Sequence, residues 1–308
     1  MAIEAHRSAV LILGAALLAP SALDAQSAYR YRDVSGSWVY TDRKPDGAGS
    51  QPQPVTLAAE KKPPRILIER LIEQDQVEMR AINECACVVE FQLHLGPANA
   101  AATPQSVFHA VLEPHSERAL FRGARGEAQT YQYRAVLGQP GARHAPEGPY
   151  RAPFALGASY LISQAHPRHT THTTPDSFYA VDIALPEGTP VYAARDGTVI
   201  NLEYANFRGA PTPVFIDSAN QVSILHADGT IAVYGHLSWN SVRVEPGQKV
   251  RRGEYLADSG NTGFTSGPHL HFAVIRNAGM KAESVPLEFE GLGGVAVTPA
   301  PGAMLTAY

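Results

Sequence analysis

The chain has 308 residues and carries 25 Lys and Arg side chains against 29 Asp and Glu, for a formal net charge of −4. A chain of this length is expected to hold two modules with accessory segments. Because it has no basic excess, it lacks the electrostatic field that attracts a polyanion, and we expect no nucleic-acid partner.

The first 25 residues have the composition of an export signal. Arg7 precedes an apolar run from Ala9 to Ala19, and Pro20, Ser21 and Ala22 follow it. This pattern is typical of a signal peptide. The run is shorter than the roughly 20 apolar residues that a membrane-spanning helix needs. We therefore predict a signal peptide at 1–25, no stable membrane anchor, and an exported chain that is periplasmic or secreted.

Residues 26–64 divide into a strand-rich part and a linker. Two runs rich in aromatic and β-branched residues, 29–33 and 37–41, predict a β-hairpin module over 26–47. Residues 48–64 are rich in Gly, Pro, Gln and Lys, which is the composition of a linker.

A small β module is predicted over 65–149. Four runs of β-forming residues are separated by polar or Gly/Pro turns, and they lie at 66–68, 88–95, 106–112 and 131–137. Such spacing is typical of a sandwich, so we predict a small immunoglobulin-like β-sandwich. No group of residues in this module forms a chemical constellation, so we expect a structural or substrate-orienting role.

The only two cysteines, Cys85 and Cys87, lie in a run that reads as a strand, Glu84 to Val89. Residues two apart on a strand share a face but sit near the upper limit of disulfide reach. The sequence leaves two states open, a bridge between these residues and a pair of packed thiols.

The C-terminal region is also predicted to consist of strands. From Tyr150 onward Gly and Pro punctuate short β-forming runs, and no window shows a sustained helical period. We predict one domain over 150–292 and a loosely ordered tail over 293–308. The expected fold class is therefore all-β, with a β-hairpin, a sandwich and a larger β domain in that order.

An HxH motif is the strongest local signal, in the run Gly267-Pro268-His269-Leu270-His271-Phe272. On a strand, positions two apart point the same way, so both imidazoles face one side. The pair can then serve one ion or one substrate. An isolated HxH is more often a pair of exposed strand histidines, so the interpretation depends on further residues.

Asp182 interrupts an otherwise apolar strand, Tyr179 to Leu185. A buried carboxylate needs an ion-pair partner, hydrogen bonds or a metal, because an unpaired one is costly to desolvate. With neutral histidine ligands it would suit Zn²⁺, which binds N and O donors. A Pro- and Thr-rich loop upstream offers His166, His169 and His172, and spacing alone does not choose among them.

His236 ends another predicted strand, beside a glycine. Together with Asp182 and the HxH motif, it makes residues 163–274 resemble the lysostaphin-type, or LytM-type, zinc endopeptidases. The segments that match the family's sequence motifs include YAVD at 179–182, GTPVYAA at 188–194 and GPHLHF at 267–272.

The resemblance implies an antiparallel β-sheet peptidase domain that binds Zn²⁺. It assigns His172, Asp182 and His271 as the metal ligands, and His236 and His269 as the catalytic residues. All five positions are filled in this chain. Because the sequence has no HExxH helix to supply a carboxylate base, His236 or His269 must take the proton or stabilise the oxyanion. The sequence does not say which residue does which.

Two departures from the family pattern concern the upstream ligand. Most members space their first two ligands as HxxxD, whereas the residue four before Asp182 is Phe178. The ligand must therefore come from the longer loop. Thr174 also replaces a usual Gly, which leaves His169 as the alternative to His172.

The resemblance implies an exported zinc-dependent endopeptidase that hydrolyses peptide bonds in peptidoglycan stem peptides or cross-links. The alternative is a catalytically inactive relative that binds and activates other cell-wall hydrolases. Such relatives usually lose zinc ligands or catalytic histidines, so the complete set favours an active enzyme. In either case the sequence identifies no regulatory protein partner.

Overall fold

The computed structural model describes residues 28–32, 38–41, 51–55, 64–96, 106–124, 130–168 and 170–308. The signal peptide predicted at 1–25 lies outside these residues, and so does His169. Within the described ranges, no helix is both long enough and apolar enough to cross a membrane.

The chain divides into two compact units, separated between residues 57 and 58. The first unit contains a three-stranded antiparallel sheet with the order β2-β1-β3. Its strands are β1 (Ala28–Arg32), β2 (Trp38–Thr41) and β3 (Gln53–Val55). Strands β1 and β2 pair as an antiparallel hairpin, and β3 adds a short strand from within the segment that the sequence marks as a linker.

The second unit begins with two three-stranded antiparallel sheets, ordered β4-β5-β8 and β7-β6-β9. Their strands are β4 (Ile66–Glu73), β5 (Gln76–Asn83), β6 (Val89–Gly96), β7 (Ser106–Leu112), β8 (Ser116–Ala124) and β9 (Thr130–Leu137). Alternation along β5 buries Val77, Met79 and Ala81, as expected for a strand with one apolar face. These side chains share one apolar cluster with Phe91 and Leu93 of the other sheet.

The bend between β5 and β6 contains the cysteines, and the structure joins Cys85 and Cys87 by a disulfide. Both cysteines are fully buried. Residues 84–88 therefore form a bend rather than the beginning of a strand, and the strand prediction for that run is wrong. The side chain of Asn83 stabilises the bend, since it accepts from the Cys85 amide and donates to the Cys87 carbonyl, both at 2.9 Å.

The rest of the second unit also consists of strands. They are β10 (Ser159–Gln164), β11 (Val181–Ile183), β12 (Pro190–Tyr192), β13 (Gly197–Glu203), β14 (Gln221–Leu225), β15 (Ile231–Gly235), β16 (Lys249–Val250), β17 (Tyr255–Asp258), β18 (Leu270–Asn277), β19 (Ala282–Ser284), β20 (Phe289–Glu290), β21 (Ala296–Val297) and β22 (Met304–Thr306). Two short 3₁₀ helices occur among them, Pro213–Phe215 and Leu292–Gly294.

Nine of these strands form one large sheet, whose main order is β16-β13-β14-β15-β18-β11-β10-β22, with β19 pairing to β18. The pairs are antiparallel, which confirms the all-β prediction and the large antiparallel sheet in the C-terminal part. Strand β18 lies between β15 and β11 and buries Leu270, Phe272 and Val274 in the core of this region.

The last residues differ from the expected loosely ordered tail over 293–308. Strand β22 pairs antiparallel with β10 at the edge of the large sheet. Leu305 and Ala307 are buried in the same core as β18, while Met304 between the turn and Leu305 is exposed. The short strand therefore anchors the segment, and Pro301 and Gly302 lie in the turn that precedes it.

Within the second unit, the β4-β5-β8 and β7-β6-β9 sheets share an apolar cluster with the large sheet. Ile200 of β13 and Ile231 of β15 belong to the apolar cluster of residues 66–112. Hydrogen bonds also tie the turn after β18 to β6 and β9. The Met280 amide donates to Glu90 at 2.6 Å, and Arg134 donates to the Met280 carbonyl at 3.1 Å.

Candidate metal centre

The large sheet brings Asp182 and His271 together by register. Asp182 is the middle residue of β11, and it lies directly opposite His271 of β18. Gly235 at the end of β15 lies opposite His271 from the other side. Opposed residues of an antiparallel pair point to the same face, so the carboxylate and the imidazole emerge side by side.

His172 completes a group of three possible metal ligands. Its Nε2 lies 3.1 Å from Asp182 Oδ1, and His271 Nδ1 lies 3.0 Å from the same oxygen. The three ligand atoms lie within 4.8 Å of one another. His172 and Asp182 are buried, and His271 is half-buried.

The charge of Asp182 is stabilised by its surroundings. Burial raises the pKa of this carboxyl, but hydrogen bonds with His172 and His271 outweigh burial and hold the pKa below its ordinary value. The group is therefore a carboxylate with two imidazole nitrogens on one oxygen. A donor set of two imidazoles and one carboxylate fits zinc, which leaves a fourth position for water or substrate in catalytic sites.

His236 and His269 lie beside this group. Their ring centroids are 4.5 Å apart, and His269 Nε2 is 3.8 Å from Asp182 Oδ2. Nδ1 of His236 lies 2.6 Å from the Thr262 carbonyl, and Nδ1 of His269 lies 2.8 Å from the Gly267 carbonyl. A carbonyl only accepts, so each Nδ1 carries the proton and each Nε2 keeps its lone pair in the neutral ring.

The backbone around His236 is constrained. His236 has φ +59°, a left-handed conformation that residues other than glycine seldom adopt and that is enriched at functional sites. A Cβ on Gly235 would lie 3.3 Å from His271 Cβ, so glycine gives the two strands room to approach.

The imidazole of His236 is neutral at neutral pH. Burial, together with His269 and His271, lowers the pKa of His236 to about 4.

The loop before β11 places its histidines differently. His172 turns inward to Asp182, whereas His166 packs its ring on Phe178 and Tyr179, with centroids 4.9 Å apart in both pairs. Of the two histidines of this loop that the structure describes, only His172 joins the metal-binding group.

The site lies in an open cleft of about 890 Å³. One part of its lining is rich in hydroxyl groups, from Ser163, Thr170, Thr171, Thr174 and Ser177. Another part is apolar, from Pro211, Ile216 and Phe264. Ile216 is 61% exposed, so an apolar side chain stands open to a bound molecule rather than to a core.

Several residues at the site escape sequence reasoning. The carbonyls of Thr262 and Gly267 set the histidine tautomers, but any residue supplies a carbonyl, so no side-chain pattern marks them. Gln164 donates to Asp182 Oδ2 at 2.7 Å. Its only sequence signal is its position at the end of a β-forming run, just before the histidine-rich loop.

A His/Asp/His group with two more histidines in an open cleft can hold a metal ion beside groups able to transfer protons. Residues 177–283 match the family model described as Peptidase family M23. This part of the chain is therefore an M23 peptidase domain of the lysostaphin type, as the resemblance predicts. Asp182, His236, His269 and His271 lie inside the matched segment, and His172 lies just before it.

Similar proteins match part of this chain. Peptidoglycan DD-endopeptidase ShyA of Vibrio cholerae serotype O1 is 34% identical over 127 residues, which are 41% of this chain and 26% of that protein. Lysostaphin of Staphylococcus simulans is 32% identical over 130 residues, 40% of this chain and 24% of that protein. The matches thus span about a quarter of the length of these relatives.

Two solved structures are similar to this chain. The catalytic domain of the prophage-encoded M23 protein EnpA from Enterococcus faecalis has 25% identity and a TM-score of 0.33, covering 43% of this chain and 92% of that one. The peptidase lysostaphin from Staphylococcus simulans has 26% identity and a TM-score of 0.31, covering 41% and 47%. TM-scores this low add nothing to the family match.

Proposed function

We propose that this chain is an exported zinc-dependent endopeptidase that hydrolyses peptide bonds in peptidoglycan stem peptides or cross-links. The observation that carries the proposal is the convergence of His172 Nε2 and His271 Nδ1 on one oxygen of Asp182, in an open cleft. The M23 match and the similarity to a peptidoglycan DD-endopeptidase support the substrate class.

Zinc would be held by His172, Asp182 and His271. When bound, zinc supplies Lewis acidity, which polarises the scissile carbonyl and lowers the pKa of water toward about 7. The carboxylate of Asp182 balances part of the ion's charge. Its two histidine neighbours keep it ionised, which is the form that a metal requires.

His236 and His269 carry the proton transfers. The attacking water must lose a proton and the leaving amine must gain one, so an imidazole that accepts the first can deliver the second. Both rings have Nδ1 committed to a backbone carbonyl, which holds them in place and leaves Nε2 as the basic atom.

The cleft lining fits a peptide. The hydroxyl groups of Thr171, Thr174 and Ser177 can donate to and accept from the backbone amides of a bound peptide. Ile216 and Phe264 line the same cleft and offer apolar contact to a side chain of a bound peptide.

We further propose that residues 65–149 form an immunoglobulin-like sandwich that supports an M23 domain over 150–292. The two three-stranded sheets with one shared apolar cluster support a sandwich. A disulfide in the first half of the chain supports an oxidising compartment, and hence a periplasmic or secreted location.

The proposal is tested by incubating the purified chain with peptidoglycan sacculi, with and without a zinc chelator, and identifying released fragments by mass spectrometry. We expect fragments with new peptide termini and intact glycan linkages, and none in chelator. The matched variant Asp182→Ala should release none. A chain that binds sacculi but releases no fragments would instead support the inactive, activating relative.

A further inference from the structure

Gln164 is a polar side chain at the end of β10 whose amide joins two parts of the metal centre. We propose that Gln164 is a positioning residue: it fixes the carboxylate of Asp182 and the loop that carries His172 in one arrangement. This inference rests on the proposed zinc site, and it identifies what holds the ligands of that site in place.

The contacts of Gln164 reach both sides of the site. Nε2 donates to Asp182 Oδ2 at 2.7 Å and to Thr171 Oγ1 at 3.0 Å. Oε1 accepts from the backbone amides of Thr170 at 2.7 Å and Thr171 at 3.3 Å. One side chain therefore ties the residues immediately before His172 to the carboxylate that His172 faces.

The chemistry of these partners fixes the orientation of the amide. Backbone N–H groups only donate, so the oxygen of Gln164 must face Thr170 and Thr171. An ionised carboxylate only accepts, so the nitrogen must face Asp182. Both N–H bonds and both lone pairs are then used, and a flipped amide would lose hydrogen bonds on both sides.

The fold places Gln164 at this point by a register shift. Ile162 pairs with Ile183, but Gln164 pairs with Asp182, so one extra residue on β10 lies between the two pairs. Such a bulge redirects the side chain that follows it. As a result Gln164 lies directly opposite Asp182 and shares its face of the sheet.

The long ligand loop explains why such a clamp is needed. With the common HxxxD spacing, the first ligand and the aspartate lie four residues apart, whereas here Phe178 occupies that position. His172 comes from a loop rich in Thr and Pro, whose ordering costs conformational entropy. Contacts from Gln164 to the backbone of this loop offset part of that cost before a metal binds.

The two carboxylate oxygens of Asp182 have different partners. Gln164 occupies Oδ2, while His172 and His271 face Oδ1. Partners that orient a ligand in this way typically contribute about 10- to 100-fold to metal affinity. Gln164 is thus expected to act on metal binding through Asp182 and the loop.

The test measures zinc affinity of the full chain by competition with a chromophoric chelator, for the parent, Gln164→Leu and Gln164→Glu. Leucine removes every hydrogen bond of the amide. Glutamate keeps acceptors for the Thr170 amide but places a second carboxylate against Asp182. We expect both variants to bind zinc about 10- to 100-fold more weakly, and the visible spectrum of the cobalt-loaded protein to change.

Gln248 provides a matched control in the same unit. Its Oε1 accepts from the Glu245 amide at 3.1 Å and its Nε2 donates to Glu254 at 3.2 Å, so it makes the same kind of contacts as Gln164 without lining the cleft. Gln248→Leu and Gln248→Glu should keep the parent's zinc affinity. Thermal unfolding of the metal-free proteins shows whether each variant is folded.

The outcomes separate this inference from the proposed function. If the parent binds zinc and cleaves peptidoglycan while both Gln164 variants bind zinc equally well, only the role of Gln164 is wrong. The role is also wrong if Gln248→Leu weakens zinc binding as much as Gln164→Leu does. If the parent itself binds no zinc, the proposed function fails and this inference fails with it.

Discussion

His269 lies just before β18 and His271 lies on it, and their ring nitrogens have different partners. His271 Nδ1 lies 3.0 Å from Asp182 Oδ1, and this places it among the three ligand atoms. His269 Nδ1 instead donates to the Gly267 carbonyl, and its Nε2 stands 3.8 Å from the other carboxylate oxygen. These contacts support the proposed division of roles, in which His271 binds the metal and His269 moves a proton.

Alanine variants should separate these two roles. His271→Ala and Asp182→Ala should lose zinc and cleavage together, because a three-ligand site without one donor holds the ion poorly. His269→Ala and His236→Ala should keep zinc while cleavage falls by about 10²- to 10⁴-fold. Zinc content and fragment release are measured on the same preparations.

His94 supplies the control for this series. It lies on β6, where its ring contacts Gln92, and it does not line the cleft. His94→Ala should keep both zinc and cleavage. The assignment within the HxH pair is reversed if His269→Ala loses its zinc and His271→Ala retains it.

The residues of the candidate site are largely predictable from the sequence, because its chemistry depends on histidine and aspartate side chains that stand in recognisable motifs. His172, Asp182, His236, His269 and His271 come from motifs, and the structure brings all five into one cleft. The parts that hold them were not predictable. They are backbone carbonyls and one amide, whose contribution depends on register and loop path rather than on residue type.

His226 gives the stability of the domain a pH dependence. It is buried, its Nδ1 contacts the Asp196 carbonyl at 2.7 Å, and burial lowers its pKa from 6.5 to about 4. The unfolded chain takes up this proton below pH 6.5 and the folded chain only near pH 4. The stabilisation from neutral His226 is therefore complete above pH 6.5 and is lost as the pH falls toward 4.

Urea unfolding of the parent and His226→Gln at pH 7 and pH 4 checks this expectation. Between these pH values the parent should lose about 3 kcal/mol more of its unfolding free energy than the variant, from the shift of the His226 pKa. The same loss in both proteins would show that His226 is not the group responsible.

Strand β22 shows how a short element at the chain end contributes to the sheet. It pairs with β10, which also carries Gln164. Leu305 is 4% exposed and packs in the core, whereas Met304 beside it is 60% exposed. Met304 and Leu305 therefore lie on the same strand and differ in how deeply their side chains are buried.

Leu305→Ala should lower the unfolding free energy by about 2–5 kcal/mol, since it removes buried methyl groups and leaves a cavity. Met304→Ala on the same strand should change it by less than about 0.5 kcal/mol. Chemical denaturation of both variants measures the difference. Equal, small effects would mean that the segment does not dock as described.

Strand prediction succeeded where β-branched and aromatic residues dominate. The run 106–112 coincides with β7, and 131–137 coincides with β9 except for one residue. No strand is predicted over β5 or β8, because β-branched and aromatic residues are few in both segments. Burial in the cluster shared with the other small sheet, rather than propensity, decides the conformation of β5. Strand β22 is held by its pairing with β10 and by the buried side chain of Leu305.

In the second unit, apolar and polar contacts join the β4-β5-β8 and β7-β6-β9 sheets to the large sheet. Ile200 and Ile231 enter the apolar cluster of residues 66–112. Glu90 is buried, and its two oxygens accept from the Met280 amide and contact His109 Nε2, each at 2.6 Å. Met280 lies in the turn after β18, so this contact joins the β7-β6-β9 sheet to the large sheet at the end of that strand.

Glu90→Ala should lower the unfolding free energy by about 1–3 kcal/mol, because the Met280 amide loses its partner at a packed junction. Glu117 is the control, since it is exposed and pairs with Arg80 at the surface. Glu117→Ala should have an effect of less than about 1 kcal/mol. Guanidinium unfolding compares them, and equal effects would mean that the Glu90 contact does not stabilise the junction.

The central claim is that the chain is a zinc peptidase, and it is tested most directly when zinc content and peptide cleavage are measured on the same sample. The purified chain is analysed for metal and assayed on sacculi as isolated, after chelation and after zinc is returned. A zinc peptidase should contain about one zinc per chain, lose metal and fragment release together, and regain both. Fragment release that persists in the metal-stripped chain would contradict it, as would a folded chain that binds no zinc.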